Sequence, residues 1–255
     1  MKKYAYLMIF FFLIACSNDA PSTKEEITIS AAASLTNALL EAKKEFELIH
    51  DSVEVHVNVG SSGTQQKQIE QGAPVDLFLS ASSLNFHQLL DEGLIEQSSV
   101  IALLTNSIVL VKNKDSELAI TDFSDVTNDS VKTIALGIPE TVPVGQYSKE
   151  LFLTLGIWDS IQPKIILAKD VRQVLTYVET GNVDAGIVYS SDALTSEKIE
   201  VMANAEKSLH SPIIYEMGIV KSSHKKELAA QFADFLQSEK ALSIFRKYGF
   251  TPLKE

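Results

Sequence analysis

Short apolar runs with strand character alternate with amphipathic helical stretches along most of this 255-residue chain. Residues 53–59 carry valine at every second position, which is typical of a half-buried strand. Residues 171–180 place four apolar side chains on one helix face, and Asp170 stands where a helix would begin. Because parallel strands need a crossing helix between them, this alternation predicts an α/β fold built from βαβ units.

The same patterns divide the rest of the chain into elements bounded by glycine and serine. Further strands are predicted at 27–30, 75–79, 108–111, 133–136, 165–168, 183–189 and 213–220. Further helices are predicted after Ser34 and at 64–71, 82–91, 145–155, 223–237 and 239–247. The length suits one large α/β domain or two smaller ones.

One internal similarity bears on that choice. Residues 69–82 and 178–191 both show a helix end, a glycine, a Val-Asp pair that opens a strand, and a serine-rich turn. A common α/β connection could recur by chance, or the chain could consist of two lobes of similar construction. Two lobes of about 100 residues each also suit the length.

The N-terminus is typical of an export signal. Two lysines precede an apolar run at 4–15, which is shorter than the roughly 20 residues that a membrane-spanning helix needs. The ending Leu-Ile-Ala-Cys resembles the bacterial lipobox, in which the cysteine is acylated; a plain signal peptide with an incidental cysteine is the alternative. We therefore expect a lipoprotein signal peptide at 1–15, lipid attachment at Cys16, a tether at 16–26 and an extracytoplasmic location.

Composition and motifs exclude several classes of function. The 22 basic and 33 acidic residues give a net charge of −11, which argues against nucleic-acid binding. A single cysteine excludes a disulfide framework and a cysteine-based zinc site. The five histidines lack metal-ligand spacing, and there is no phosphate-binding loop or nucleophile elbow. The net charge need not exclude an anionic ligand, because surface charges beyond about 8 Å are largely screened at physiological salt.

Four predicted strand-to-helix turns carry a small hydroxyl residue, a glycine or a capping aspartate. They contain Ser34, Ser62, the sequence 143–145 and the pair 170–171. Helix N-termini present unpaired N–H groups and partial positive charge, so such turns can bind an anion without lysine or arginine. Helix capping is the better explanation of each turn taken alone. Together the four turns allow a converging anion site, but spacing does not establish that they converge.

Six blocks, in order, resemble the periplasmic molybdate-binding proteins of ABC transporters. The blocks are AAASLTNA at 31–38, QIEQGAPVDLF at 68–78, PETVPVG at 139–145, DVR at 170–172, GIVYSSDA at 186–193 and IFRKYGF at 244–250. The resemblance implies a two-lobed type II periplasmic-binding-protein fold, in which each lobe is a sheet flanked by helices. Two crossover strands would join the lobes near 104–109 and 211–217. Lobe one would combine 25–105 with 215–255, and lobe two would span 106–213.

The resemblance also implies a ligand site. By motif position, the oxygens of molybdate would be held by the hydroxyls of Ser34 and Ser62, the main-chain N–H groups of Val144 and Val171, and the hydroxyl of Tyr189. Molybdenum would be bound only as the oxyanion, and no cofactor is expected. At the position of Val144 the family usually has the smaller alanine, so the valine could tighten the cavity.

Two charged residues near this site are given other roles. Asp170 is predicted to cap the helix that follows it, because a carboxylate would repel a dianion. Arg172 is a candidate partner for the anion, but the resemblance implies a neutral site.

The expected function is binding without chemistry. A monomer, not an enzyme, would capture molybdate, and comparably tungstate, between its lobes and deliver it to an ABC permease. One alternative is a protein of the same fold that binds another ligand, such as sulfate, phosphate or ferric ion. A second is an extracytoplasmic hydrolase using Ser62, which would need a general base that no motif block supplies as histidine.

Overall fold

The described part of the chain is residues 24–253, in a computed structural model. The predicted signal peptide, Cys16 and most of the predicted tether lie outside it, so the lipid attachment stays a prediction. Within residues 24–253, no helix is both long enough and apolar enough to span a membrane.

Eleven strands in the described residues form two sheets. The strands are β1 (Glu25–Ala32), β2 (Val53–Gly60), β3 (Leu77–Ser80), β4 (Ile101–Thr105), β5 (Ile108–Asn113), β6 (Ile134–Gly137), β7 (Ile165–Ala168), β8 (Ala185–Tyr189), β9 (Ile199–Asn204), β10 (Ile214–Ile219) and β11 (Thr251–Pro252). The six-stranded sheet has the order β11-β4-β10-β3-β1-β2, and the five-stranded sheet has the order β7-β6-β8-β5-β9. The chain therefore passes to the second sheet between β4 and β5, and returns between β9 and β10.

Helices flank both sheets. They are α1 (Thr36–Ile49), α2 (Ser62–Glu70), α3 (Ser83–Asp91), α4 (Pro143–Thr154), α5 (Trp158–Ile161), α6 (Val171–Glu179), α7 (Ser190–Ala193), α8 (Lys226–Leu236) and α9 (Glu239–Lys247), and a 3₁₀ turn, Ala33–Leu35, precedes α1. In each sheet the strands joined through α/β connections pair in parallel, β1 with β2 and β3, and β6 with β7 and β8. Every residue of β3 and β8 is buried, as expected for strands covered on both faces. The predicted α/β architecture is confirmed.

Some element bounds differ from the prediction. α2 and α4 each begin two residues earlier than predicted, at Ser62 and Pro143. Proline at the first position of α4 suits a helix start, because the missing N–H has no partner there. β4, β9 and β11 are not among the predicted strands, and each pairs antiparallel with a distant segment.

The internal similarity corresponds to a shared construction. Asp76, just before β3, donates its N–H to the carbonyl of Thr28 and accepts the Thr28 N–H on its carboxylate, both at 2.8 Å. Asp184, just before β8, makes the same pair of hydrogen bonds with Thr133, at 3.1 and 2.9 Å. Each aspartate thus links the start of its strand by hydrogen bonds to the neighbouring parallel strand. This shared arrangement favours two halves of similar construction over a chance repeat of the sequence pattern.

Candidate ligand-binding site

A small cavity lies where the helices of both sheets begin. It is lined by Ala32, Ala33, Ser34, Gly60, Ser61, Ser62, Ala81, Val142, Pro143, Val144, Val171 and Tyr189. All five residues predicted to hold the ligand are among them. Sites for organic ligands usually enclose about 300–1,000 Å³. This cavity is much smaller, which suits a small ion.

Three helices start at the cavity wall. Ser62 is the first residue of α2, Val144 the second of α4 and Val171 the first of α6. The first N–H groups of a helix have no intrahelical partner and lie at the positive end of its dipole. The side chains of Val144 and Val171 belong to the buried core, which leaves their N–H groups as the polar atoms they can offer a ligand.

The two serines are not helix caps. The cap of α2 is Ser61, whose hydroxyl accepts the N–H of Thr64 at 3.3 Å. Ser62 Oγ instead accepts the N–H of Ala81 at 3.0 Å, so its own proton remains available for donation. Ser34 Oγ lies 2.9 Å from the hydroxyl of Tyr215 and caps neither its 3₁₀ turn nor α1. The capping explanation is therefore wrong for both serines.

Tyr189 is buried at the end of β8, with 1% of its surface exposed. Its hydroxyl makes no hydrogen bond to any residue within 24–253. Burial raises the pKa of Tyr189 well above its ordinary value, so the phenol stays protonated and can donate. An unpaired buried hydroxyl costs roughly 1–3 kcal/mol, and an anion oxygen in the cavity would remove that cost.

Charged side chains surround the cavity without lining it. None of the described residues on its wall is lysine, arginine, histidine, aspartate or glutamate. Asp170 caps α6 by accepting the N–H of Gln173 at 2.9 Å, which confirms its predicted role. Arg172 donates to the hydroxyl of Thr195 at 2.9 Å and lies 3.8 Å from Asp192. A dianion here would be held by neutral dipoles, as at other helix N-termini.

Asp192, in α7, is a buried acid three residues after Tyr189. Its side chain is fully buried, and neither carboxylate oxygen has a hydrogen-bond partner among the described residues. Burial raises the pKa of Asp192 to about 7, although the neighbouring Arg172 opposes the shift. Because the folded-state pKa exceeds the unfolded value, ionisation of Asp192 destabilises the fold, increasingly as pH rises from the unfolded pKa to the folded one.

The stability of Asp192→Asn relative to the parent protein is therefore expected to increase as pH rises, because only the parent has to bury an ionised Asp192. The difference in free energy of unfolding should shift in favour of the variant by about 3 kcal/mol between about pH 5 and pH 8. Urea unfolding at both pH values measures it, with Asp234→Asn, on the exposed side of α8, as the control. A difference independent of pH would contradict the assignment.

A close contact joins the two halves beside the cavity. Gly63, in α2, donates its N–H to the carbonyl of Thr141, just before α4, at 3.0 Å. A Cβ atom on Gly63 would lie 2.7 Å from the Thr141 carbonyl oxygen and 2.8 Å from its Cα. Real Cβ atoms essentially never approach backbone this closely, so the contact depends on the absence of a side chain.

Sequence reasoning did not single out three residues beside the cavity. Gly63 was interpreted only as part of a turn, and Tyr215 only as part of a strand. Asn106, between β4 and β5, has no sequence feature that points to the site. In the structure its amide lies 3.3 Å from the Tyr215 hydroxyl. Their contacts link segments far apart in the chain, and no local pattern signals them.

Comparison with known proteins gives the site a context. A family model described as bacterial extracellular solute-binding protein matches residues 27–251. YvgL of Bacillus subtilis strain 168, whose provisional name is that of an ABC transporter substrate-binding lipoprotein, is 46% identical over 98% of this chain and 98% of its own length. ModA of Escherichia coli K12, named a molybdate-binding protein, is 37% identical over 93% of each chain.

A solved structure has the same architecture. The periplasmic molybdate-binding protein of Azotobacter vinelandii superposes with a TM-score of 0.80 over 88% of this chain and 98% of its own, at 22% identity. The prediction of a type II periplasmic-binding-protein fold is confirmed.

Proposed function

The chain belongs to the family of bacterial extracellular solute-binding proteins, and we propose that it captures molybdate, and comparably tungstate, for an ABC transporter. The observation that carries the proposal is the convergence of neutral donors from both sheets on one small cavity. The name of the Escherichia coli relative supports molybdate as the ligand.

In this proposal, five groups hold the oxygens of the ion. Ser34 and Ser62 donate from the half that contains the six-stranded sheet. The N–H groups of Val144 and Val171 and the hydroxyl of Tyr189 donate from the other half. Since all are donors, they favour a fully deprotonated tetrahedral anion and leave no acceptor for a protonated one. Sulfate is smaller than molybdate and would leave some donors unpaired, which costs binding free energy.

Binding is coupled to closure of two lobes. We take lobe one as 25–105 with 215–255 and lobe two as 106–213, so that each supplies part of the donor set. Full satisfaction of the anion then requires the closed form, and ligand shifts the equilibrium toward it. The contact between Gly63 and Thr141 supports this view, because it joins the two lobes at the cavity edge.

Delivery follows from the family. The closed protein would dock as a monomer on a membrane permease, which takes up the anion for ATP-driven import. Lipid at Cys16 would anchor it outside the cytoplasm, and the lipoprotein name of YvgL supports this part of the proposal. No catalytic step is required of the site.

The hydrolase alternative finds little support in the geometry. Ser62 Oγ accepts a backbone N–H, and the described cavity wall offers no imidazole or carboxylate as a general base. Sulfate remains the competing ligand that the experiment must separate.

Titration calorimetry of the protein without its predicted signal peptide and lipid, using molybdate, tungstate, sulfate and phosphate, tests the proposal. We expect tight, one-to-one binding of molybdate, tungstate within about tenfold of it, and sulfate and phosphate weaker by at least about a hundredfold, or about 2.7 kcal/mol. Tight sulfate binding without molybdate binding would overturn the proposal.

A further inference from the structure

Asn106 lies in the two-residue link between β4 and β5, where the chain crosses from one sheet to the other. Its side chain contacts residues of both halves. The amide nitrogen lies 2.8 Å from Ser191 Oγ, in α7, and 3.3 Å from the hydroxyl of Tyr215, in β10. The amide is thus linked to the cavity residue Ser34 through Tyr215.

The orientation of this amide is fixed by its other partners. Its oxygen accepts the backbone N–H of Ser107 at 2.9 Å and the hydroxyl of Ser190 at 2.8 Å. A backbone N–H can only donate, so the atom facing it must be the oxygen. The atom facing Tyr215 is therefore the NH₂ group, which can only donate.

This orientation sets the direction of the next hydrogen bond. The Tyr215 oxygen accepts a hydrogen bond from the Asn106 amide, and burial raises the pKa of Tyr215, so the phenol keeps its own proton. Within the described residues, the other polar atom at hydrogen-bond distance from this hydroxyl is Ser34 Oγ, at 2.9 Å. Tyr215 satisfies its proton by donating to Ser34. Ser34, already an acceptor, then has its own proton free for the cavity.

We propose that Asn106 and Tyr215 are positioning residues that orient the Ser34 hydroxyl as a donor to the bound anion. The inference rests on the proposed function and deepens it: the site selects fully deprotonated oxyanions because this chain of hydrogen bonds fixes which way Ser34 points. Ser62 is fixed as a donor independently, by the N–H of Ala81.

Asn106→Asp tests the direction of the hydrogen bonds that run from Asn106 through Tyr215 to Ser34. An ionised carboxylate oxygen in place of the NH₂ group accepts a hydrogen bond from Tyr215. Tyr215 must then accept a hydrogen bond from Ser34, and Ser34 presents lone pairs to the anion. We expect molybdate affinity to fall by at least about a hundredfold at about pH 8. Protonation of the new carboxyl restores a donor, so the ratio of wild-type to variant affinity should shrink toward about pH 5.

Two further variants make the test specific. Tyr215→Phe removes the donor to Ser34 without adding charge, and we expect about tenfold weaker binding with no new pH dependence. Asn182→Asp adds the same charge at an exposed position and should bind as the wild type does. The ionisable groups around these hydrogen bonds are unchanged in all three variants: Tyr147, Arg172, Tyr189, Asp192 and Glu216.

The outcomes distinguish failure of the proposed function from failure of the positioning role. If wild-type protein binds no molybdate, the proposed function fails. If wild type binds and both Asn106→Asp and Tyr215→Phe bind equally tightly, the positioning role is wrong. If the affinity of Asn106→Asp is lower than that of the wild type by the same factor at both pH values, Asn106 has only a structural role. The proposed direction of the hydrogen bonds is then also wrong. Thermal unfolding of each variant verifies that it is folded.

Discussion

Replacing both Ser34 and Ser62 with alanine is expected to weaken molybdate binding by about a thousandfold. A hydrogen bond to a charged group contributes about 1.5–3 kcal/mol, and this variant removes two of them. Ser62 accepts from the N–H of Ala81, and in the proposed orientation Ser34 accepts from Tyr215, so both hydroxyls keep their protons available. Titration calorimetry on the wild type and the double variant measures the change.

The matched control replaces two exposed serines, Ser98 and Ser222, with alanine. Its affinity should equal that of the wild type. If the Ser34/Ser62 variant also kept its affinity within about twofold, neither hydroxyl would contact the ligand, and the assigned site would be wrong.

Gly63→Ala is expected to reduce molybdate affinity by about a hundredfold, equivalent to about 2.7 kcal/mol. The new Cβ would lie 2.7 Å from the carbonyl oxygen of Thr141, so the two lobes could not reach the closed arrangement without backbone movement. Alanine favours helix over glycine, so α2 itself should not be weakened. The loss would therefore lie in closure and not in folding of either lobe.

Small-angle X-ray scattering distinguishes these effects. Molybdate should reduce the radius of gyration of the wild type. The radius of gyration of Gly63→Ala should stay at its ligand-free value at the same molybdate concentration. Lys67→Ala, at an exposed position of the same helix, is the control and should close normally. Unchanged affinity and normal closure of Gly63→Ala would show that this contact does not limit closure.

Much of the fold could be predicted from local patterns. β2, with valine at every second position, and helices with a clear apolar face, such as α6 and α9, have their own periodicity. β4, with the sequence IALLT, has no alternation of apolar and polar residues. It is a strand because β10 pairs with it from more than a hundred residues away, which no local window reveals.

The candidate site was predictable to a different extent. The helix-start turns are visible in the sequence as turns, but capping is the better local explanation of each. Only the tertiary contacts of Ser34 and Ser62 argue against it for these two serines. Tyr189 had only the family resemblance in its favour, because its local pattern is that of a core aromatic. What favours a ligand role is a tertiary property, a buried hydroxyl without a partner among the described residues.

The contacts proposed to govern closure and donor direction could not be predicted from the sequence. Gly63 needs to be glycine because of Thr141, and Asn106 orients Ser34 only through Tyr215. Each relation joins residues on separate elements that meet only after the two sheets have formed. A single sequence therefore indicates where the donors are but not what holds them in position.

The central claim is that one oxyanion is held by neutral donors from both lobes, and a crystal structure of the molybdate complex tests it most directly. Diffraction measured at the molybdenum absorption edge locates the metal by its anomalous scattering. We predict one strong peak in the cavity, with oxygens about 2.7–3.2 Å from the hydroxyls of Ser34, Ser62 and Tyr189 and from the main-chain nitrogens of Val144 and Val171. A peak outside this cavity, or an ion held there by the guanidinium of Arg172, would contradict the claim.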